Sequence, residues 1–303
     1  MSEKKKLVFI VGPTGVGKTD LAVELARSVG EIVSVDSMQV YRYMDCGTAK
    51  PDERALSQVM HHLVSIVTPD YRFSAGDFRR RALAAIEEIR GRGKMPFLVG
   101  GTGLYFRALE YTLSRAPAAS AQLREKLYGF EEKRSGTLYE RLTEVDPETA
   151  ESLHPNDLVR IVRALEIFEL SGTIPSQLLR LKRDPSFDIL KVGLMIDRGE
   201  LYERLEQRCM HMIDEGLPGE VRTLLHSGYD EQYPSMKGLG YSHYMQHFKG
   251  CCGKRETLRR FMRDTRRYAK RQLTWFSRDE EVCWYNPDEA DKIRDSIIRF
   301  IQD

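Results

Sequence analysis

The chain has 303 residues, 41% of them hydrophobic and 30% charged, and a net charge of +2. That suits a soluble protein of one large or two smaller domains with a sizeable core. No apolar run approaches the roughly 20 residues of a membrane span. Five cysteines, odd in number and without a CxxC pair, exclude a disulfide framework and a cysteine-ligated zinc site.

The start, "MSEKKKLVFIVG", has too short an apolar stretch for a signal peptide and reads as a first strand, so a cytoplasmic protein is expected. Residues 7–11 run into a glycine loop and then into "KTDLAVELARSV" at helical spacing. "EIVSVDS" reads as a second strand ending at Asp36. "SAGDFRRRALAAIEEIRGRGK" is a helix with an N-cap at Ser74 and glycine stops at Gly91 and Gly93. "MPFLVGGTGLYFRALE" is a buried strand, a glycine turn and another helix. Such alternation implies a parallel, doubly wound sheet. From about Leu113 to Arg183 the segments are helical only, and "FDILKVGLMID" then returns to the sheet. Two long helices follow, "RGELYERLEQRCMHMIDEG" and "KRETLRRFMRDTRRYAKRQLTWF".

Gly12, Pro13, Thr14, Gly15, Val16, Gly17, Lys18 and Thr19 fit G-x-x-x-x-G-K-[ST] in full, after a strand and before a helix. Glycines let backbone N–H groups turn onto phosphate oxygens, Lys18 neutralises charge, and the Thr19 hydroxyl suits Mg²⁺. The expected fold is therefore α/β, a P-loop NTPase-like parallel sheet with flanking helices and an inserted all-helical domain. Residues 1–112 and 190–303 form the expected core and 113–189 the insertion.

A nucleotide hydrolase usually carries a Mg²⁺-holding aspartate at the end of a further strand. Here "PFLVGGTG" ends in glycines, and the acid, Asp36, closes the second strand. Asp36 serves Mg²⁺ indirectly, takes part in chemistry, or caps a turn. The polar and aromatic segment "DSMQVYRYMDCGTAKP" follows it, on the side where open α/β sheets bind ligands. Thr102 lies at another strand end, among Gly100, Gly101 and Gly103.

Together "GPTGVGKT", "DSMQVYR", "GTAKP", "GGTGLYF", "HPND", "RALE", "GY" and "RRYAKRQLTWF" resemble the tRNA dimethylallyltransferases, over about residues 6 to 285. The resemblance implies transfer of a dimethylallyl group from dimethylallyl diphosphate to N6 of adenine 37, in the anticodon stem-loop of tRNA. The loop then holds a prenyl diphosphate, with Mg²⁺ on Thr19. Lys18, Asp36 and Thr102 are the implied catalytic residues, Asp36 as general base and Thr102 orienting. Arg222 is matched to an arginine associated with the diphosphate. Asp36, Ser37, Met38, Gln39 and Thr102, with Val159, Arg160, Ile161, Val162 and Arg163 of the insertion and Tyr241, are the expected tRNA contacts. "GLGYSHY" departs from the family in its Ser242-His243 pair. The bacterial type, without the zinc-finger extension of eukaryotic relatives, is expected from the resemblance, and so is a monomer.

The last long helix supports an RNA partner by itself. Eleven Lys/Arg stand against Glu256 and Asp264 between Lys249 and Arg278. Arg259, Arg263, Arg266 and Lys270 form one stripe and Leu258, Phe261, Met262, Tyr268, Ala269 and Leu273 another. Arg263, Arg267 and Arg271 are the expected phosphate contacts on it. Two other readings compete. An ATP-dependent kinase of small molecules or nucleotides fits the loop alone, and phosphorylation of a small acceptor would reveal it. A non-enzymatic RNA-binding protein fits the basic helix, but not an intact Lys18, Thr19, Asp36 and Thr102.

Overall fold

The computed structural model describes residues 4–112, 116–178 and 182–302. Strands β1 (Lys5–Val11), β2 (Gly30–Val35), β3 (His61–His62), β4 (Met95–Gly100), β5 (Phe187–Leu194) and β6 (Cys283–Tyr285) form one parallel sheet, in the order β3-β2-β4-β1-β5-β6. Before the insertion come helices α1 (Lys18–Ala26), α2 (Glu53–Gln58), α3 (Ala75–Gly91) and α4 (Gly103–Glu110). The insertion holds α5 (Ala121–Lys133), α6 (Thr137–Val145), α7 (Pro147–Glu151), α8 (Leu158–Ser171) and α9 (Pro175–Leu178). After it come α10 (Arg198–Asp214), α11 (Leu217–His226), α12 (Tyr241–Phe248), α13 (Lys254–Phe276) and α14 (Ala290–Gln302).

The sheet is apolar on both faces because helices cover both, as parallel sheets require. Successive residues of β1 serve opposite layers. Leu7, Phe9 and Val11 pack with Phe78, Ile86, Ile89 and Phe106 of α3 and α4. Val8 and Ile10 pack with Leu21 and Leu25 of α1 and with Ile293 and Ile297 of α14. Ser74 caps α3 with a reciprocal capping box, its hydroxyl accepting from Asp77 N–H, as the sequence suggests. A third cluster joins Val40, Tyr41 and Met44, from the segment after β2, to Val221, Tyr241, Tyr244 and Phe261.

Two compact units result: residues up to Leu109 together with those from Pro185, and Glu110–Asp184. The expected insertion boundary at 189 is corrected. Phe187, Asp188 and Ile189 pair with Lys5, Lys6 and Leu7, so they belong to β5. Residues 113–115, at the other expected boundary, lie outside the described residues. The second unit closes on itself through a Tyr111–Arg183 bridge, and Leu127, Leu138, Leu142, Ile161 and Leu165 fill its core. Its fully buried Glu166 accepts from Arg124 Nε and Nη2 at 2.9 Å each, from Arg163 at 2.5 Å and from Ser120 N–H at 2.7 Å, tying α5 to α8.

Candidate active site

Strand register builds the site. Val11 and Val35 each stand opposite Gly100, because β4 lies between β1 and β2. The residues that follow, Gly12, Asp36 and Gly101, therefore leave the sheet side by side, with neighbouring strands roughly 4.8 Å apart. Gly12 lacks room for a side chain: a Cβ there would lie 2.6 Å from the Leu194 carbonyl oxygen, at a φ of 146°. Gly17, at φ 95°, turns the chain into α1, whose N-terminus carries Lys18 and Thr19. Val16 is fully buried, so its part in the loop is backbone and anchor.

The Lys18 ammonium donates to Pro13 O at 2.7 Å, folded back along the loop. Burial chiefly, and then the neighbouring Arg208, bring its pKa down to about 7, against the opposing pull of Asp36. Arg208 is the site residue that the sequence reading misses. It stands on α10, which crosses the loop closely enough that a Cβ on Gly15 would meet Leu205 at 2.8 Å. Its guanidinium enters no hydrogen bond or ion pair among the described residues, while Asp36 and Asp20 act on it electrostatically. One signal was available: Arg208 occupies the apolar stripe of Leu201, Leu205 and Met212, seven residues after Leu201, where a cation has no packing reason to be.

Asp36 caps its own turn. One carboxylate oxygen accepts from Met38 N–H at 2.8 Å and Gln39 N–H at 3.3 Å, and the other enters no hydrogen bond among the described residues. Capping the turn thus occupies one oxygen and leaves the other available. Thr102 accepts from Ser37 N–H at 3.1 Å, and its own N–H donates to Val35 O at 3.2 Å. Ser37, Met38, Gln39 and Thr102 are accordingly adjacent to Asp36. Gln39 braces the segment, accepting from the Ser34 hydroxyl at 2.8 Å and donating to Ala49 O at 3.3 Å.

For Mg²⁺ the donor set is slender but suitable. The Thr19 hydroxyl enters no hydrogen bond among the described residues, and Asp36 offers a hard carboxylate oxygen. Among the described residues no group of three or more His, Cys, Asp or Glu could hold a metal. Mg²⁺ characteristically takes one or two protein oxygens and completes its shell with phosphate oxygens and water, so these residues fit it.

Several expected residues fall elsewhere. Tyr241 has no exposed surface and donates to Glu220 at 2.6 Å, so it cannot touch RNA. Ile161 and Val162 are buried in the core of the insertion, which corrects their assignment as contacts; Val159 is 72% exposed. Arg160 pairs with Asp157 at 3.4 Å, and Arg163 donates to Glu166 and to Pro117 O. Both arginines line an open cleft of about 450 Å³ with Glu148, Thr149 and Ser176. Arg222 is exposed, its guanidinium 5.0 Å from the Phe248 ring centre, and no hydrogen bond or ion pair joins it to the phosphate loop. His243 is bound internally, between Gly240 N–H and Asp264.

Much of the charge on α13 is also internal. Arg259 and Arg260 share Glu256, Arg263 lies bidentate on Asp264 at 2.9 Å, and Arg266 pairs with Glu206. Arg267, Lys270 and Arg271 are exposed; Arg267 reaches Asp264 only at 3.5 Å, and Arg271 stacks 5.7 Å from the Tyr268 ring. After Asp264, the outward cations of α13 are thus Arg267, Lys270 and Arg271.

The IPP transferase family model matches residues 39–279. The tRNA dimethylallyltransferase 2 of Geotalea uraniireducens is 49% identical over 98% of this chain and 98% of its own. The tRNA dimethylallyltransferase of Geobacter sulfurreducens is 45% identical over 98% of this chain and 97% of its own. Among solved structures, the tRNA isopentenylpyrophosphate transferase of Bacillus halodurans superposes with a TM-score of 0.74 at 37% identity, covering 99% of this chain and 97% of that one. A eukaryotic dimethylallyltransferase, captured acting on tRNA, superposes with a TM-score of 0.78 at 27% identity, over 93% of this chain and 74% of that one.

Proposed function

Because the chain belongs to the IPP transferase family of tRNA dimethylallyltransferases, we propose that it moves the dimethylallyl group of dimethylallyl diphosphate onto N6 of adenine 37 in tRNA. The bond from the prenyl C1 to the diphosphate oxygen breaks, and its electron pair leaves with diphosphate. The N6 lone pair forms the new C–N bond, and one N6 proton is lost. The products are diphosphate and N6-(dimethylallyl)adenosine.

The observation that carries this reading is the juxtaposition at three neighbouring strand ends. A phosphate loop backed by two cations, Lys18 and Arg208, stands beside a carboxylate with an uncommitted oxygen. Charge develops on the leaving diphosphate, and cations fixed in a partly desolvated site stabilise it most where it develops. The loop's N–H groups and the N-terminus of α1 add to the same effect. Arg208, rather than Arg222, takes the part of the diphosphate arginine.

The exocyclic amine of adenine is a poor nucleophile because its lone pair is shared with the ring. The uncommitted oxygen of Asp36 accepts the proton as the C–N bond forms, a contribution of roughly 10²–10⁴-fold in rate. Thr102, held against Ser37, orients the amine. Mg²⁺, held by Thr19 when bound, supplies further positive charge to the diphosphate. Adenine reaches these groups by leaving its stack, which a single-stranded anticodon loop makes inexpensive. Arg267, Lys270 and Arg271 on α13, and Val159 and Arg160 on the insertion, meet the RNA.

The test is direct. Purified protein is incubated with Mg²⁺, unmodified tRNA and labelled dimethylallyl diphosphate, with labelled ATP in parallel. Label is expected in tRNA from the prenyl donor alone, with the rate lost in Asp36→Asn. Phosphoryl transfer from ATP without prenyl transfer would replace this reading with a kinase.

A further inference from the structure

Helix α13 does more than present cations. Its Tyr268, Gln272 and Trp275 share one face, four and three residues apart, next to the flank of Arg267, Lys270 and Arg271. That face is seated in the catalytic turns. Gln272, 5% exposed, accepts from Thr14 N–H of the phosphate loop at 2.8 Å through Oε1. Through Nε2 the same amide donates to Gly101 O at 3.0 Å. One turn earlier, Tyr268 reaches Thr102; one turn later, Trp275 covers Gly103, where a Cβ would lie 2.1 Å from the indole nitrogen.

The chemistry at this point is specific to glutamine. One group must accept from the loop after β1 and donate to the turn after β4, and a primary amide has both functions at one end. Glutamate keeps the acceptor and sets an oxygen against the Gly101 oxygen. Methionine has the length and neither function. Gly101 completes the fit, since a Cβ there would come within 2.0 Å of Gln272 Nε2.

We propose that Gln272 is a positioning residue that fixes the spacing between the phosphate loop and the Gly101–Thr102 turn. It thereby fixes how far the donor's phosphates stand from Thr102 and Asp36. The proposal rests on the prenyl-transfer reading above. It also makes α13 the element that joins an RNA-facing surface to the phosphate site, with one amide as the joint. Small errors in the placement of reacting groups lose large factors in rate, so the loss is expected in the chemical step rather than in RNA binding.

Full-length Gln272→Met, Gln272→Glu and Gly101→Ala proteins test this, each with its thermal midpoint measured first. Three readouts are taken beside the parent: single-turnover prenyl transfer at saturating donor and tRNA, affinity for inorganic diphosphate, and affinity for unmodified tRNA. Expected are a single-turnover rate about 10²-fold lower, weaker diphosphate binding and unchanged tRNA affinity. Gly101→Ala reproduces this pattern by displacing the amide from the other side. Should Gln272→Met melt below the assay temperature, Gln272→Glu and Gly101→Ala carry the comparison. Folded variants with the parent's rate and diphosphate affinity, or a rate that falls only with tRNA affinity, overturn the proposal while leaving the prenyl-transfer reading intact. A parent that transfers no prenyl group overturns that reading instead.

Discussion

The Tyr241 hydroxyl donates to Glu220 at 2.6 Å from a ring with no exposed surface. The same carboxylate accepts the backbone N–H groups of Asp45 at 2.7 Å, Cys46 at 2.9 Å and Gly47 at 3.3 Å. Glu220 therefore closes the start of the turn at Cys46–Thr48, and Tyr241 holds Glu220 in place. A Cβ on Gly47 would lie 2.5 Å from the tyrosine ring, so the turn also closes over that ring. Burial, reinforced by Glu220, raises the phenol pKa, which keeps the hydroxyl a neutral donor. The turn lies at the far end of the segment that begins with Asp36.

Tyr241→Phe removes one hydrogen bond to a charged acceptor and leaves the packing in place. A stability loss of about 1.5–3 kcal/mol is expected in denaturant unfolding. tRNA affinity should be unchanged, because the hydroxyl faces Glu220 and never solvent. A loss of RNA affinity without a loss of stability would restore Tyr241 as a contact.

Lys18 gives a pH prediction. Its folded pKa, about 7, is depressed mainly by burial, and the Arg208 guanidinium adds to this. In the free protein, Lys18 thus loses its proton as pH rises through 7, whereas a bound diphosphate favours the charged ammonium. Binding above pH 7 must then take up a proton, approaching about one per site. Calorimetry of inorganic diphosphate binding at pH 8, in buffers of different ionisation enthalpy, reads this uptake. Lys18→Arg should abolish it, since arginine stays protonated. Uptake that persists in Lys18→Arg would assign the titrating group elsewhere.

Arg208 and Arg222 are to be compared directly. Arg208 is electrostatically coupled to Lys18 and to Asp36, while Arg222 stacks on Phe248 away from any phosphate-loop contact. Arg208→Ala is expected to lower kcat/KM for dimethylallyl diphosphate by about 10²-fold or more, the scale of one lost electrostatic donor. Arg222→Ala should leave kinetics with the prenyl donor near the parent's. The reverse ranking would reinstate Arg222 at the diphosphate.

What the sequence discloses of this site follows from how locally each part is built. The phosphate loop is contiguous, and its glycines and Lys18 announce it. Asp36 and Thr102 end apolar runs, so strand ends place them. Arg208 is remote from the loop in sequence and arrives by the crossing of α10; its helical spacing marks it as a cation on an apolar stripe but does not say which loop that stripe meets. Tyr241 and Ile161 show the opposite limit, since a motif match cannot tell a side chain facing solvent from one facing the core. On α13 the cations can be counted from the sequence, but Glu206 comes from another helix, so which charges are already paired becomes visible only after folding. The sheet's short edge strand β3 is likewise invisible to periodicity, having two residues and no alternation.

That edge carries the last prediction. Glu31, 1% exposed in β2, accepts from Arg92 Nε at 3.0 Å and Nη2 at 2.8 Å, lies 3.2 Å from Lys94 Nζ, and meets His62 Nε2 at 2.7 Å. The Arg92 bonds lead in lowering its pKa to about 2; His62 and Lys94 assist, and burial opposes them. The folded value lies below the unfolded one of 4.5, so the unfolded chain binds more protons between them. Stability from Glu31 is therefore fully present above pH 4.5 and is lost as pH falls toward 2. By linkage the shift corresponds to roughly 3 kcal/mol. Glu31→Gln should be less stable than the parent at pH 6, by urea unfolding, and the gap should narrow steadily on acidification to pH 3. Other carboxylates titrate in both proteins and cancel in the difference. A gap that stays constant with pH would mean that the Glu31 cluster contributes by shape and packing rather than by charge.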